Sequence, residues 1–322
     1  MRILIAGTGA VGGYFGALLA RASHDVVFLA RGANLKALRQ SGLTIESIDG
    51  DLRLEHVTAT DRLAGLAPVE LAIVTVKSYD TAAVAAAIAP VVTPETIVLS
   101  LQNGVENESL LASALGLPPL VAAMTHIGAE LIAPGVVRHV AEGTIFFGEP
   151  TGHETPRGRA LAEIFTAAGV RHHLSSDILL MLWDKLSWNA AHNAVTALTR
   201  ATAGEAARIP ATAAVLRDAM LEVVAVARAQ GIGLDPVRVE LVVAHSAAHL
   251  GTLRTSMLQD LERGRPLEHE ALNGAVVRFG AATGVATPVN QTLYGLLVAI
   301  DSGRARAGGT SAREAGSSGG LH

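Results

Sequence analysis

Cysteine is missing from the 322-residue sequence. Its absence excludes disulfide bonds, thiol nucleophiles and cysteine-ligated metals, and it agrees with residence in the reducing cytoplasm. Aromatic residues make up only 3% of the chain and charged residues 17%, while half of all residues are hydrophobic. The core is therefore expected to be built from aliphatic side chains, and the length suits two domains.

The sequence also lacks an excess of one charge and a long apolar run. The net charge is −4 and no basic stripe is present, which argues against a nucleic-acid partner. The apolar N-terminus is broken at Gly7 and Gly9, so it is too short for a signal peptide. Asp184 and Lys185 interrupt a later apolar stretch, and no membrane span fits. The sequence predicts a soluble, cytoplasmic protein.

The first half of the chain alternates strand-like and helix-like segments. Continuous aliphatic runs at 71–76 and 97–101 are typical of strands buried on both faces. Further strands are predicted at 2–6, 25–30, 120–124 and 144–148, with a helix at 11–22. This alternation predicts a mostly parallel, doubly wound sheet and assigns residues 1–172 to an N-terminal Rossmann domain.

The second half carries only helical patterns, at 176–198, 211–230, 236–249 and 266–283, separated by glycine and proline. Residues 173–302 are therefore predicted to form an all-α substrate or catalytic domain. The fold class is α/β followed by all-α. The tail at 303–322 is rich in Gly, Ser, Ala and Arg, and we expect it to be disordered.

A complete G-x-G-x-x-G motif follows the first predicted strand and opens the first predicted helix, the context that a dinucleotide-binding site requires. The glycines permit a tight turn, close approach of the backbone to a pyrophosphate, and close packing of helix on strand. The alternative is a glycine-rich turn without a ligand. The predicted cofactor-binding residues are Gly7, Thr8, Gly9, Ala10, Val11 and Gly12.

Arg31 follows the second predicted strand. A site that prefers NAD usually has a carboxylate there to bind the ribose hydroxyls. A guanidinium can instead bind a 2′-phosphate through two hydrogen bonds. Arg31 therefore favours NADP(H), although an arginine at a strand end can also be ordinary solvated surface.

Two polar patterns mark the helical half. Lys185, Asn189 and Asn193 recur at i, i+4 and i+8, which forms a polar stripe on an otherwise apolar helix. Such groups need partners when buried, and a substrate can provide them; the alternative is an exposed helix face. Further on, Ser256 opens the segment S-M-L-Q-D, and Glu268 follows a Gly/Pro turn. We expect Glu268 in the first turn of a new helix, where a carboxylate also suits the helix dipole.

In these motifs, together with Lys77 and the segment L-Q-N-G at 101–104, the chain resembles the ketopantoate reductases (2-dehydropantoate 2-reductases) over nearly its whole length except the tail. The lysine–asparagine spacing is shared with the wider group of 6-phosphogluconate-dehydrogenase-like enzymes. The S-M-L-Q-D segment with its following glutamate is more specific.

The resemblance implies NADPH-dependent reduction of 2-dehydropantoate to (R)-pantoate, a step towards pantothenate and coenzyme A. It implies that Lys185 is the general acid and that Glu268 positions Lys185 or the cofactor. It places Lys77, Asn103 and the backbone at Gly128 near the cofactor. The substrate would be bound by Asn103, Lys185, Asn189, Asn193 and Ser256. An acid that protonates the ketone oxygen fits these roles, because hydride transfer to a 2-oxo acid builds an alkoxide.

Two positions depart from the family pattern. Ala203 and Leu253 stand where family members often carry asparagines that hold the substrate. The same chemistry on another bulky 2-oxo acid is therefore an alternative, and a non-catalytic NADP(H)-binding regulator is a second. No metal site is expected, because the histidines have no convincing ligand set. The aliphatic helical half favours a homodimer, and a monomer is also compatible with the resemblance.

Overall fold

The computed structural model describes the backbone of residues 1–118 and 120–317, and side chains as far as residue 303. The chain divides into two compact units, Met1–Leu182 and the residues from Trp183 onward. The sequence predicts the domain boundary at 172/173, and the division of the structure falls at 182/183.

The described part of the first unit contains strands β1 (Arg2–Ala6), β2 (Asp25–Leu29), β3 (Leu43–Ser47), β4 (Leu52–Leu54), β5 (Thr58–Thr60), β6 (Leu71–Val74), β7 (Ile97–Ser100), β8 (Ala122–Ala133), β9 (Val136–Gly148) and β10 (Arg171–Leu174). Its helices are α1 (Ala10–Arg21), α2 (Gly32–Ser41), α3 (Thr81–Ile88), α4 (Asn107–Leu115) and α5 (Pro156–Ala167), with short 3₁₀ turns at Ser78–Asp80 and Ala89–Val91.

The first sheet has the order β5-β2-β1-β6-β7 with all its strands parallel. Side chains of β1 alternate between two hydrophobic clusters: Ile3 and Ile5 belong to one, and Leu4 and Ala6 to the other. Both faces of the sheet are therefore buried, which explains the continuous aliphatic runs of its strands. The prediction of a parallel, doubly wound sheet is confirmed for this part of the chain.

A second sheet was not predicted. It has the order β10-β9-β3-β4, with β8 pairing antiparallel to β9. The short strands predicted at 120–124 and 144–148 are one end of a long β8–β9 hairpin of 12 and 13 residues. Polar residues such as Glu130 and His139 fall within this hairpin, and they break the aliphatic signal by which buried strands are recognised.

The second unit is helical. The division of the chain falls within α6 (Ile178–Trp188). It is followed by a first π turn (Asn189–Asn193), α7 (Ala194–Thr199), α8 (Ala203–Arg208), α9 (Pro210–Ala229), α10 (Val237–His249) and α11 (Ser256–Glu262). The described part of the chain ends with a second π turn (Glu270–Gly274), α12 (Ala275–Thr283) and α13 (Pro288–Ser317).

The helical predictions hold with two corrections. The helix predicted at 176–198 contains the first π turn in its middle, and the helix predicted from 266 begins only at Glu270. Glu268 therefore precedes the helix instead of lying in its first turn, although its carbonyl already accepts a hydrogen bond from the Leu272 N–H at 3.2 Å.

The tail that the sequence predicts to be disordered, residues 303–322, overlaps the last helix. The last helix, α13, is assigned as far as Ser317, and residues 318–322 lie outside the described part. Across the described residues, no helix is both long and apolar enough to cross a bilayer.

Candidate active site

The G-x-G-x-x-G motif forms the turn between β1 and α1, as its sequence predicts. Gly7 has a φ of +112°, a conformation that strongly favours glycine. A Cβ on Gly12 would lie 2.3 Å from the Gly7 carbonyl oxygen and 2.4 Å from the Thr75 hydroxyl. The Thr75 hydroxyl also donates a hydrogen bond to the Gly7 carbonyl at 2.5 Å. Gly7 and Gly12 are therefore needed for the turn and for close packing of helix on strand.

Gly9 has a different environment. A Cβ built on it meets no protein atom within 4 Å among the described residues. Gly9 is the N-cap of α1, and the cap has no side-chain hydrogen bond and no acidic residue in the first helical turn. The N-terminal N–H groups of α1 are thus not capped by a side chain. Such a helix end attracts an anion, and a pyrophosphate fits this geometry.

Arg31 lies just beyond the end of β2, which stops at Leu29. Its side chain is exposed, and its flanking residues are Ala30 and Gly32. Asn34, in the helix that follows, donates from Nδ2 to the Thr8 carbonyl at 2.6 Å. The start of α2 is thereby tied to the glycine-rich turn.

Lys77 and Asn103 follow the carboxyl ends of β6 and β7. These strands are neighbours of β1 in the parallel sheet, so both residues lie along the same sheet edge as the glycine-rich turn, where α/β folds bind ligands. The Asn103 carbonyl accepts a hydrogen bond from Asn107 Nδ2 at 2.8 Å. Gly128 lies elsewhere, within β8 of the second sheet, opposite Ala141.

Lys185 lies in the last turn of α6 and is partly buried. Burial lowers the pKa of its ammonium group from 10.5 to about 8, and the negative charge of Glu268 partly opposes this shift. Glu268 itself is only 5% exposed. The two predicted catalytic residues, 83 positions apart in sequence, therefore interact electrostatically within the helical unit.

Three predicted substrate residues lie together. Asn193 Nδ2 donates to Asn189 Oδ1 at 3.3 Å. Asn193 Oδ1 is 3.5 Å from the Ser256 hydroxyl and 3.4 Å from the Met257 N–H. These long contacts leave the polar groups available for better partners. Asn189, Asn193 and Ser256 thus form one polar cluster that begins one helical turn after Lys185.

The position of Ser256 is fixed by its neighbour. Thr255 is the N-cap of α11, and its hydroxyl accepts from the Leu258 N–H at 3.3 Å. The same hydroxyl is 2.6 Å from the Thr196 hydroxyl in a fully buried contact. The start of α11 is therefore fastened to α7, directly after the turn that carries Asn193.

The two departures from the family pattern also meet. The Ala203 N–H donates to the Leu253 carbonyl at 2.9 Å. Ala203 is fully buried and Leu253 is 40% exposed. The two positions are therefore adjacent in the structure and belong to the same region of the helical unit.

Two polar residues were not singled out from the sequence. Glu108, in the first turn of α4, has its pKa raised to about 7 by burial, against hydrogen bonds from its own N–H and from that of Ala123. An acid at a helix start looks like an ordinary dipole partner, so nothing in the sequence marked it. Asn273 is fully buried in the second π turn, and its partners are 17 and 83 residues away.

The described residues contain no group of three His, Asp or Glu side chains arranged to hold a metal ion. His192 is fully buried and stacks on Trp188, with ring centroids 4.5 Å apart and planes inclined by 5°. Burial lowers the pKa of His192 to about 4.

Both units match parts of one known protein family. A family model described as ketopantoate reductase PanE/ApbA matches residues 3–152, and the model of its C-terminal part matches residues 177–301. A 2-dehydropantoate 2-reductase of Archaeoglobus fulgidus is 36% identical over 302 residues, which cover 94% of this chain and 98% of the relative.

Solved structures give the same result. The crystal structure of a PanE/ApbA family ketopantoate reductase from Ralstonia eutropha JMP134 superposes with a TM-score of 0.87 at 38% identity, covering 94% of this chain and 99% of that one. A D-mandelate dehydrogenase, solved with NADH and anilino(oxo)acetate, has a TM-score of 0.84 at 23% identity, covering 94% of this chain and 99% of that one. The second likeness concerns the fold alone.

Proposed function

Because this chain belongs to the ketopantoate reductase family, we propose that it reduces 2-dehydropantoate to (R)-pantoate with NADPH as the electron donor. The observation that carries the proposal is the state of Lys185. Its ammonium group has a pKa of about 8, lies in the helical unit beside the Asn189, Asn193 and Ser256 cluster, and interacts with the buried Glu268.

Lys185 is the proton donor of the proposed reaction. With a pKa of about 8, it is about nine-tenths protonated at pH 7 and gives up its proton more readily than an ordinary lysine. Its positive charge stabilises the negative charge that develops on the ketone oxygen, and its proton completes the hydroxyl. Glu268 keeps the ammonium form available, because its negative charge raises the pKa of Lys185 against the effect of burial.

The cofactor is bound by the first unit in this proposal. The uncapped N–H groups at the start of α1 donate to the pyrophosphate, and the open space at Gly9 accommodates it. Lys77 and Asn103, on the same sheet edge, contact the remainder of the cofactor, and Gly128 contributes its backbone. Bound nicotinamide supplies the hydride.

Arg31 is the proposed determinant of NADPH over NADH. Its exposed guanidinium suits a 2′-phosphate, and its neighbours Ala30 and Gly32 bring no negative charge. The D-mandelate dehydrogenase that shares this fold was solved with NADH, so the fold by itself does not select NADPH, and we assign the preference to Arg31.

The substrate carboxylate and hydroxyl are assigned to Asn189, Asn193 and Ser256. Ala203 and Leu253 stand where the resemblance leads us to expect asparagines, which supports a second candidate: the same reduction of another bulky 2-oxo acid. The residence in the cytoplasm, the homodimer and the absence of a nucleic-acid partner stay predictions from the sequence.

The test is NADPH consumption across a panel of 2-oxo acids that includes 2-dehydropantoate. We expect the highest kcat/KM with 2-dehydropantoate. A higher value with another acid would establish the second candidate. Tight NADPH binding with no turnover of any acid would instead indicate a non-catalytic, cofactor-binding regulator.

A further inference from the structure

Two π turns interrupt the helices of the second unit, at Asn189–Asn193 and at Glu270–Gly274. Such turns are rare, and they are frequent at functional sites. The first begins and ends with two of the proposed substrate residues, and the second starts two residues after Glu268. Both elements of the proposed site therefore depend on a helix geometry that is less regular than that of an α-helix.

Asn273 connects the two turns. It lies in the second π turn, is fully buried, and donates from Nδ2 to the Ala190 carbonyl in the first turn at 2.8 Å. In a regular α-helix the Ala190 carbonyl would accept from the Ala194 N–H, but a π turn at Asn189–Asn193 moves the backbone N–H donors to the i→i−5 pattern. The side chain of Asn273 thus supplies a donor to a carbonyl that the π turn has displaced.

The connection continues to a charged residue. Asn273 Nδ2 also donates to Asn290 Oδ1 at 3.0 Å, and Asn290 Nδ2 donates to Glu222 Oε2 at 2.8 Å. The Glu222 carboxylate further accepts the Val289 and Asn290 N–H groups, each at 2.8 Å, at the start of α13. A chain of hydrogen bonds therefore runs from the half-buried Glu222 through the fully buried Asn290 and Asn273 to the backbone of the first π turn.

The orientation of Asn273 is determined by its partners. Both groups around Nδ2, the Ala190 carbonyl and Asn290 Oδ1, are acceptors, so only the amide NH₂ can satisfy them. A carboxylate at position 273 would place oxygen against oxygen at both contacts. An aliphatic residue would leave the buried Ala190 carbonyl without this donor.

We propose that Asn273 is a positioning residue, which holds the first π turn in the geometry that aims Asn189 and Asn193 at the substrate. The inference rests on the proposed function of those two asparagines. Small displacements suffice for a large effect, because a shift of about 1 Å in a substrate-binding group can lower the rate roughly 100-fold.

The test compares Asn273→Leu and Asn273→Asp with the wild type. Thr212→Val serves as the control, because it removes a partly buried hydrogen bond to the Ala206 carbonyl, between α8 and α9. It does not alter the chain of hydrogen bonds from Glu222 through Asn290 and Asn273. Four quantities are measured on each protein: melting temperature, NADPH affinity, kcat and KM for the 2-oxo acid, and amide hydrogen exchange of the peptide covering residues 186–196.

We expect both Asn273 variants to raise KM by roughly tenfold or more, with a smaller change in kcat and unchanged NADPH affinity. Exchange should accelerate in the 186–196 peptide, and the control should lower the melting temperature without either effect. Should the Asn273 variants fail to fold, Glu222→Gln weakens the far end of the same chain and is expected to raise KM several-fold with the same local change in exchange.

A melting temperature lowered as in the control, with normal KM and normal exchange at 186–196, would show that Asn273 has only a structural role. The proposed function is judged separately, by wild-type turnover of 2-dehydropantoate. If another 2-oxo acid proves to be the substrate, KM is measured with that acid. If none is turned over, the exchange experiment decides whether Asn273 controls the first π turn.

Discussion

Replacing Lys185 by methionine separates catalysis from folding. Methionine keeps the length and apolar volume of the lysine stem but removes the ammonium group. If Lys185 is the proton donor, the rate of hydride transfer should fall by roughly 10²- to 10⁴-fold, the usual contribution of a positioned general acid.

Although the rate falls, the free energy of unfolding of Lys185→Met should rise. A pKa of about 8 in place of 10.5 corresponds to about 3 kcal/mol of unfavourable free energy for the buried ammonium, at about 1.4 kcal/mol per pH unit. This figure already includes the attraction to Glu268. Because part of the side chain remains exposed, solvent screening reduces it, and we expect Lys185→Met to raise the free energy of unfolding by about 1–2 kcal/mol at neutral pH.

The pH dependence follows from the same pKa. Hydride transfer should slow as the pH rises through about 8, because the proton donor is lost. The unfolded chain keeps its proton up to about pH 10.5, so between pH 8 and 10.5 it binds more protons than the folded state. Stability contributed at this site therefore increases with pH in that window, and the advantage of Lys185→Met should shrink there.

The assay is single-turnover hydride transfer, followed by NADPH absorbance, with urea unfolding of the same samples. Lys36→Met, which replaces an exposed lysine in α2, is the matched control and should leave both quantities unchanged. Normal hydride transfer combined with lowered stability would refute the assignment and make Lys185 a structural residue.

Three further predictions concern other residues. Arg31→Asp should abolish or reverse the preference for NADPH, by about one to two decades for a lost charge-assisted contact of roughly 1.5–3 kcal/mol; equal use of NADPH and NADH by the wild type would contradict this role. Gly9→Ala should fold normally but bind NADPH weakly. Gly12→Ala, with a Cβ 2.3 Å from the Gly7 carbonyl oxygen, should instead lower the melting temperature. Unchanged cofactor affinity in folded Gly9→Ala would disprove the proposed pyrophosphate site at the start of α1. His192 has its pKa lowered from 6.5 to about 4, so it should contribute stability that is present above pH 6.5 and is lost as the pH falls towards 4, by up to about 3 kcal/mol. In urea unfolding, His192→Phe should lose less stability than the wild type between pH 7.5 and 5. Equal losses would rule out this titration.

The sequence alone determined the parts of the fold that rest on local pattern. The aliphatic runs of β1, β6 and β7 are continuous because both faces of their sheet are buried, and Gly7 and Gly12 mark a turn whose steric demands few other residues meet. The spacing of Lys185 and Asn189 also needed only the period of a helix, whereas the turn that joins Asn189 to Asn193 is a π turn. These features could be predicted from the sequence because each depends on neighbours within a few residues.

Only the tertiary structure decided the remainder. The β8–β9 hairpin pairs through β9 with β3, which lies about 90 residues earlier in the sequence. Polar residues within the hairpin interrupt the aliphatic pattern that identifies a buried strand. Ser256 reaches Asn193 across 63 residues, and Asn273 reaches Ala190 across 83. The pKa of Lys185 depends on the packing that removes water from it and on Glu268, equally distant along the chain. Burial, long-range hydrogen bonds and the π turns that displace a carbonyl arise when helices pack, and no local pattern contains them.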